Sequence, residues 1–181
     1  MYKRQKYINP EKEVSTAEDA LNGAKDILAE SVSDNADFRT HIRELTMKHG
    51  QLLSAAKDPE AESVYEMYYE FSESLSKLAG HRILAISRGE KEKFLIVKID
   101  APVDRILSYL DRKLITAPSA PTAAVLHEVT EDAYNRLIAP AIEREIRSDL
   151  FEKAEDGAIR VFGKNLEQLL MQPPIAGQVV L

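Results

Sequence analysis

The chain contains no cysteine. This absence excludes a disulfide framework, a thiolate zinc site and a cysteine nucleophile, and it agrees with a reducing cytoplasmic environment. No apolar run approaches the roughly 20 residues that a helix needs to cross a bilayer. Residues 1–6 are basic but are not followed by an apolar stretch, so the sequence predicts no signal peptide. We therefore expect a cytoplasmic protein without a membrane partner.

Motifs of catalysis and of nucleotide binding are also missing. The sequence has no Gly-x-x-x-x-Gly-Lys-Ser/Thr loop, no dinucleotide fingerprint and no Gly-x-Ser-x-Gly elbow. Its four histidines, His41, His49, His81 and His127, form no His-Glu-x-x-His pair or other short metal-ligand spacing. The sequence therefore nominates no catalytic residue, no metal ligand and no cofactor, and we expect that the protein is not an enzyme.

The composition is that of an ordinary globular protein, but the charge is unevenly distributed. With 44% hydrophobic residues, 181 residues are ample for a packed core. The net charge of -6 argues against a chain that is coated with nucleic acid as a whole. Residues 58–76 carry six carboxylates and neither lysine nor arginine. The sign then reverses over residues 77–98, where the cations are Lys77, Arg82, Arg88, Lys91, Lys93 and Lys98.

This reversal of charge has two interpretations. The two segments could simply fold against each other, since exposed charge is the default for such residues. Alternatively, the six cations could contact the phosphate backbone of a nucleic acid. The aromatic residues Tyr65, Tyr68, Tyr69 and Phe71 lie in the acidic segment and not among the cations. They are therefore predicted to belong to the core and not to a base-stacking surface.

The spacing of apolar residues predicts a mainly α, multihelical fold. It has one short β element at about 93–99 and a long C-terminal spine helix at about 140–171. The predicted division of the chain is a helical region with a short strand or hairpin, a linker-like break, a helical spine, and the start of a following domain. These parts are residues 1–115, 116–121, 122–171 and 172–181.

Sequence signals also predict where the first helices begin and end. A first helix starts with a capping box formed by Ser15 and Glu18. A second is capped by Asp34 and ends at Gly50, where a left-handed residue is expected. A third, acidic helix follows from residue 58, because an aspartate cap is followed there by a first-turn proline.

The long C-terminal helix is predicted from one continuous apolar stripe. Pro140 is expected to interrupt the helix before it, because an interior proline loses a hydrogen bond and clashes with the preceding turn. From residue 142 to residue 170 the apolar positions keep one phase through Gly157 and Gly163. This pattern predicts a single helix of roughly 45 Å, at about 1.5 Å per residue. We expect it to be a spine against which several pieces pack.

Three stretches of the chain resemble the Tex family of bacterial transcription accessory proteins. Residues 21–30 read LNGAKDILAE, residues 81–92 read HRILAISRGEKE, and residues 136–147 read RLIAPAIEREIR. The likeness continues to Pro173 and Pro174 and so spans nearly the whole chain. It implies an internal helical piece of a longer protein that is related to a eukaryotic transcription elongation factor. The last residues, 178–181, agree with this, because their apolar and β-branched members Val179, Val180 and Leu181 indicate a buried strand whose partners are missing.

The resemblance also implies a function. In that family the residues that end this chain lead into a YqgF-type, ribonuclease H-like domain, which is followed by helix-hairpin-helix elements and an RNA-binding domain with an oligonucleotide-binding fold. Nucleic acid (RNA or DNA) would then be bound mainly through domains absent from this chain, and the transcription machinery is a further expected partner. The chain itself would be a non-catalytic helical scaffold whose six cations make at most supporting contacts. The alternative is a protein-interaction module that docks onto a transcription complex through its acidic 58–76 helix.

Overall fold

The computed structural model of the chain describes residues 7–9 and 14–172. It confirms the predicted fold class, because the chain is mainly helical, has a long C-terminal helix and contains only a small sheet. The helices are α1 (Ala17–Asp34), α2 (Ala36–His49), α3 (Gly80–Lys91), α4 (Val103–Leu114), α5 (Ala123–Asp132) and α6 (Ala139–Leu170). The strands are β1 (Gln51–Ala56), β2 (Glu70–Ser74) and β3 (Leu95–Asp100).

The chain divides into two compact units. The first unit contains the described residues up to Gly50 together with Ile99–Ile146. The second unit contains Gln51–Lys98 and the described residues from Arg147 onward. Helix α6 thus contributes its first residues to one unit and the rest to the other. The linker-like break at residues 116–121 stays a prediction.

The first two helices are capped one residue later than predicted, by Thr16 in place of Ser15 and by Asn35 in place of Asp34. Thr16 and Asp19 form the capping box of α1, in which the Asp19 N–H donates to the Thr16 hydroxyl at 3.0 Å. Asn35 caps α2, where its side-chain oxygen accepts from two backbone N–H groups. Gly50 does end α2, but its φ of -77° is not left-handed, so that part of the prediction was wrong. The chain extends there because it enters β1 directly.

The core of the first unit comes from four helical segments. Its fully buried large side chains are Ile42, Ile106, Leu110, Ile138 and Ile146. One buried polar group also joins α5 to α4. The Thr130 hydroxyl is close to two acceptors, the Asp111 carboxylate at 2.7 Å and the His127 carbonyl at 2.8 Å. The buried hydroxyl is therefore satisfied, as a polar group in a core must be.

Pro140 does not interrupt its helix, contrary to the prediction. The six residues Ala133–Ile138 before α6 form a π-helix, and the chain stays helical from α5 into α6. In an α-helix the proline ring would clash with the carbonyl group four residues earlier. A π-helix pairs each N–H with a carbonyl five residues earlier, so its wider turn can absorb a proline that follows. The missing hydrogen bond therefore changes the helix type but does not end the helix.

The second unit contains a small antiparallel sheet in the order β2-β1-β3. Strands β1 and β2 pair in the register Gln51↔Ser74 to Ala55↔Glu70. Beyond the end of β1, the Lys57 N–H donates to the Phe94 carbonyl at 2.8 Å. The predicted β element at 93–99 is confirmed with shifted bounds. Two of the three strands were not predicted as strands.

The predicted helix over residues 58–76 is wrong. Asp58 accepts a hydrogen bond from the Glu60 N–H at 3.1 Å, as a helix cap would, but only a turn follows. A single 3-10 turn, Glu66–Tyr68, leads into β2. The docking alternative therefore loses its helix, although the acidic segment itself exists.

Charge and side-chain type explain why this segment is not helical. A helix would place Glu62, Glu66 and Glu70 four residues apart, and such like-charge pairs are destabilising without intervening cations. Aromatic residues also favour strands. Tyr68 is buried with 7% of its surface exposed, and its ring packs edge-on against Phe71 at 5.4 Å. The prediction that the aromatic residues belong to the core therefore holds for Tyr65 and Tyr68, while Tyr69 and Phe71 are half-buried.

The C-terminal part of α6 is exposed. Ala154 is its last buried residue, and the described residues after it are all exposed. Phe162, on the predicted apolar stripe, exposes 67% of its surface. The stripe therefore exists, but within residues 7–9 and 14–172 no residue covers it beyond Ala154. None of the helices in these ranges is long and apolar enough to cross a membrane.

Two glycines in this exposed part should be replaceable with a gain in stability. A Cβ atom added at Gly157 or Gly163 would meet nothing within 4 Å. Because glycine costs about 1 kcal/mol relative to alanine inside a helix, Gly157→Ala and Gly163→Ala should each raise helicity and the unfolding temperature. Circular dichroism at 222 nm would measure both. Lys164→Ala, which exchanges two good helix formers, is the control, and an equal response to all three substitutions would contradict the prediction.

Candidate nucleic-acid interface

Helix α3 carries three of the six predicted contact residues, and it is fixed in the second unit by close packing. Its first residue, Gly80, lies against α6, where an added Cβ atom would be 3.5 Å from the Ala154 Cα atom. Ile83 and Ile86 are buried on one side of the helix. The opposite side is left to Arg88 and Lys91, which are exposed.

Arg82 is engaged within the protein. Its guanidinium group forms an ion pair with Glu73 at 2.7 Å and lies 5.8 Å from the centroid of the Phe71 ring. Glu73 belongs to the acidic segment, so here the two oppositely charged segments do fold against each other. A guanidinium group held by a carboxylate and an aromatic face has less to offer a phosphate group. This favours a structural role for Arg82 over a binding role.

Arg88 and Lys91 line a common cavity with α6. The cavity has a volume of about 430 Å³, and its apolar wall is formed by Leu84, Phe151 and Ile159. The Lys91 ammonium group lies 4.9 Å from the centroid of the Phe151 ring, which is a cation–π distance. Glu155 also lines the cavity, so two exposed cations and one carboxylate lie beside the aromatic ring. The cations outnumber the carboxylate, and the surface can therefore accept an anionic, partly apolar group.

A second cavity adjoins the first and shares Lys91 and Phe151 with it. It has a volume of about 250 Å³ and is mostly apolar, with Leu52 and Val97 of the sheet among its lining residues. At its rim Glu90 forms an ion pair with Arg147. Because this pair neutralises the Glu90 carboxylate, the positive charge of the neighbouring surface is not offset by it.

Tyr65 contacts the C-terminal end of α3. Its hydroxyl group donates to the Glu92 carboxylate at 2.9 Å, and its ring packs at 5.9 Å from Phe94. Burial, and then the hydrogen bond to Glu92, raise the pKa of the Tyr65 hydroxyl above its ordinary value. The phenol thus stays a neutral donor and links the loop before β2 to the end of α3.

The other three predicted residues are not brought together with Arg88 and Lys91. Lys77 lies in the turn between β2 and α3, and Lys98 lies on β3. Lys93 follows α3 with a φ of 66°, in the left-handed region. All three are exposed, and none lines either cavity. Contact with nucleic acid by any of the six residues stays a prediction.

Sequence reasoning missed the α6 residues of this surface. Phe151 forms the ring under Lys91, and Arg147 neutralises Glu90. They lie four residues apart, a spacing that places two side chains on one face of a helix. That spacing was readable from the sequence, but their partners lie more than fifty residues away along the chain. Among the described residues, no group of three or more His, Cys, Asp or Glu could hold a metal ion.

The described chain is thus a multihelical protein region with a small antiparallel sheet and a basic surface on one helix. It belongs to the Tex family, because the family model for a Tex central region-like domain matches residues 2–162.

Three curated relatives agree with the family. The uncharacterized protein YdcI of Bacillus subtilis is 50% identical over 97% of this chain and 25% of its own length. Protein tex of Bordetella pertussis is 35% identical over 97% of this chain and 24% of its own length. The human S1 RNA-binding domain-containing protein 1 is 31% identical over 97% of this chain and 19% of its own length. The chain therefore spans a quarter or less of the length of these relatives.

Proposed function

We propose that this chain is a non-catalytic helical scaffold of a cytoplasmic Tex-family transcription factor that binds nucleic acid as a full-length protein. The relatives support the nucleic-acid part, since one of them is named for an S1 RNA-binding domain. The coverage supports the scaffold part, because the matched region is a quarter or less of each relative. The main binding activity and the contacts with the transcription machinery would then belong to other parts of the protein.

The observation that carries a supporting role in binding is the pair Arg88 and Lys91. Both are exposed and line one cavity beside Phe151. Phosphate contacts by lysine and arginine release counterions, so binding through such a pair must weaken with salt. Arg82 is left out of this surface because it pairs with Glu73.

Neutralising this pair should weaken nucleic-acid binding and reduce its salt dependence. For the double variant Arg88→Gln/Lys91→Gln, the slope of log K against log salt should fall by about 1.4 on single-stranded RNA, at about 0.7 per phosphate contact. Fluorescence anisotropy with a labelled RNA at several salt concentrations measures the slope. Arg160→Gln/Lys164→Gln removes two exposed cations of α6 outside the cavity and is the matched control.

Three results would count against the proposal. Equal effects of the two double variants would show that the surface formed by Arg88 and Lys91 has no specific role in binding. If the chain does not bind RNA or DNA at low salt, it makes no contact with nucleic acid of its own. Turnover of RNA, DNA or nucleotides by the purified chain would show that it is not merely a scaffold.

One observation favours the protein-docking alternative. Within the acidic segment, Val64 exposes 86% of its surface and Met67 exposes 74%. Exposed apolar side chains among carboxylates suit a basic, partly apolar protein partner. Val64→Ser/Met67→Ser should weaken capture of purified transcription proteins without affecting RNA binding. The reverse pattern would argue against this alternative.

A further inference from the structure

A second basic and aromatic groove lies in the first unit, between α2 and α4. Its aromatic wall is a stack in which the His41 ring lies 4.0 Å from the Tyr109 ring, with an angle of 31° between their planes. Phe38 supports Tyr109 edge-on at 6.0 Å. His41, Tyr109 and Leu45 line a cavity of about 560 Å³. This volume lies within the range of sites that hold small organic molecules.

Cations of α4 surround this cavity. Arg105 and Arg112 line it, and they lie seven residues apart, which is two turns along the same face of the helix. Arg112 is oriented by a hydrogen bond from its Nε atom to the Ser108 carbonyl at 3.1 Å. Lys113 adds an ammonium group 6.0 Å from the centroid of the Tyr109 ring.

These cations are available to a ligand. All three are exposed, and within residues 7–9 and 14–172 no carboxylate forms an ion pair with Arg105, Arg112 or Lys113. Arg82, in contrast, already forms an ion pair with Glu73 of the same chain. Asp104 is the one carboxylate among the residues that line the cavity. The groove therefore presents a net positive charge next to stacked rings.

We propose that this groove binds a single-stranded nucleic acid, with a base against the His41 and Tyr109 stack and phosphate groups at Arg105 and Arg112. The inference rests on the proposed function, because it adds a second contact surface to the same activity. Single strands are bound by positive grooves that follow the backbone and by aromatic rings on which bases stack. Both features are present here, on two helices of one compact unit.

The aromatic stack is the reason to prefer nucleic acid over an acidic peptide. A run of carboxylates would need only the cations, and it would gain little from the two rings. A nucleotide uses both, because its phosphate groups meet the arginines while its flat base continues the stack. A duplex keeps its bases paired, so it could use only the cations.

The test is the affinity of the 181-residue chain for a labelled single-stranded oligonucleotide, measured by fluorescence anisotropy. Arg105→Gln/Arg112→Gln should reduce the salt slope by about 1.4, at about 0.7 per phosphate contact. His41→Ala should weaken binding by at least about fivefold, the low end of what loss of one stacking ring causes. Arg160→Gln/Lys164→Gln is the matched control, with the same loss of two exposed helix cations. Circular dichroism confirms that each variant is folded. If His41→Ala does not fold, the variant Arg105→Gln/Arg112→Gln still tests the groove, because both arginines are exposed.

The outcomes separate this inference from the proposed function. If RNA binds and responds to Arg88 and Lys91 but not to Arg105 and Arg112, the groove is not a site and the proposed function stands. If poly-glutamate of equal charge competes as well as the oligonucleotide, or a duplex binds as tightly as the single strand, the assignment to single-stranded nucleic acid is overturned. If nothing binds at low salt, both proposals fail together. A single strand that outcompetes both polyanions and responds to His41 and to the arginines supports the groove.

Discussion

Leu110→Ala should destabilise the protein by about 2–5 kcal/mol, the range measured when a buried leucine is truncated in a core. Leu110 has no exposed surface. Its helix α4 packs against α2 and α5, so the space left by the side chain is enclosed by helices on more than one side. Losing three carbon atoms accounts for about 2.4 kcal/mol at about 0.8 kcal/mol per carbon, and the cavity adds to this.

Urea denaturation followed by circular dichroism at 222 nm would measure the loss as a shift of the midpoint. The matched control is Val103→Ala on the same helix, because Val103 exposes 38% of its surface. It should cost about 1 kcal/mol or less, since only two carbon atoms are lost from a partly exposed side chain and alanine is the better helix former. A Leu110→Ala variant no less stable than the control would show that α4 is not a core helix.

The result would also bear on the groove, because α4 carries both of its arginines and Tyr109. A variant that loosens α4 against α2 should separate Tyr109 from His41 before the chain unfolds globally. RNA binding by Leu110→Ala should therefore fall more than binding by the control at equal fractions of folded protein. This links the stability of the first unit to the surface proposed on it.

Helix α4 also shows why part of the fold was predictable from the sequence. Val103, Ile106, Leu107 and Leu110 repeat at helical spacing, and the structure places a helix there whose most buried members are Ile106 and Leu110. Local spacing is sufficient when a helix buries one face and exposes the other. The same argument found α1, α2 and most of α6.

Prediction failed where the local signal at one residue is not followed by the hydrogen bonds that it usually accompanies. Asp58 carries a helix-cap signal, but only a turn follows it, and the segment continues into β2, whose backbone groups pair with those of β1. Pro140 carries a helix-break signal, but six residues of π-helix before it keep the chain helical. In each case a correct local signal is outweighed by hydrogen bonds that the sequence pattern does not display.

The candidate site, like the fold, was predictable from the sequence only in part. Charge reversal along residues 58–98 was visible in the sequence, and it located α3 as a basic element. Which cations remain available depends on partners such as Glu73 for Arg82, and these follow from the folded chain. The groove on α4 was missed for the same reason, since the ring that stacks on Tyr109 belongs to His41 on another helix.

Gly89→Val should cost up to about 3 kcal/mol, the upper end of the usual range for overpacking a core. Gly89 is buried within α3, and a Cβ atom added there would lie 2.7 Å from the Leu95 Cδ1 atom and 3.1 Å from the Tyr65 Cδ1 atom. Neither neighbour can move away easily, because Leu95 exposes 3% of its surface and Tyr65 exposes 6%. Valine is a somewhat better helix former than glycine, so helix propensity would offset only a few tenths of a kcal/mol.

The matched control is Gly23→Val in α1, where an added Cβ atom meets nothing within 4 Å. It should change stability by no more than about 0.5 kcal/mol, as surface substitutions usually do. The double variant Gly89→Val/Leu95→Ala should be more stable than the sum of the two single losses predicts, because the smaller residue 95 makes room for the new methyl groups. Additive losses would show that the two residues do not compete for space. Since Gly89 lies between Arg88 and Glu90, a shift of α3 in Gly89→Val should also displace Arg88 from its cavity and weaken RNA binding there, while the groove at Arg105 and Arg112 keeps its affinity.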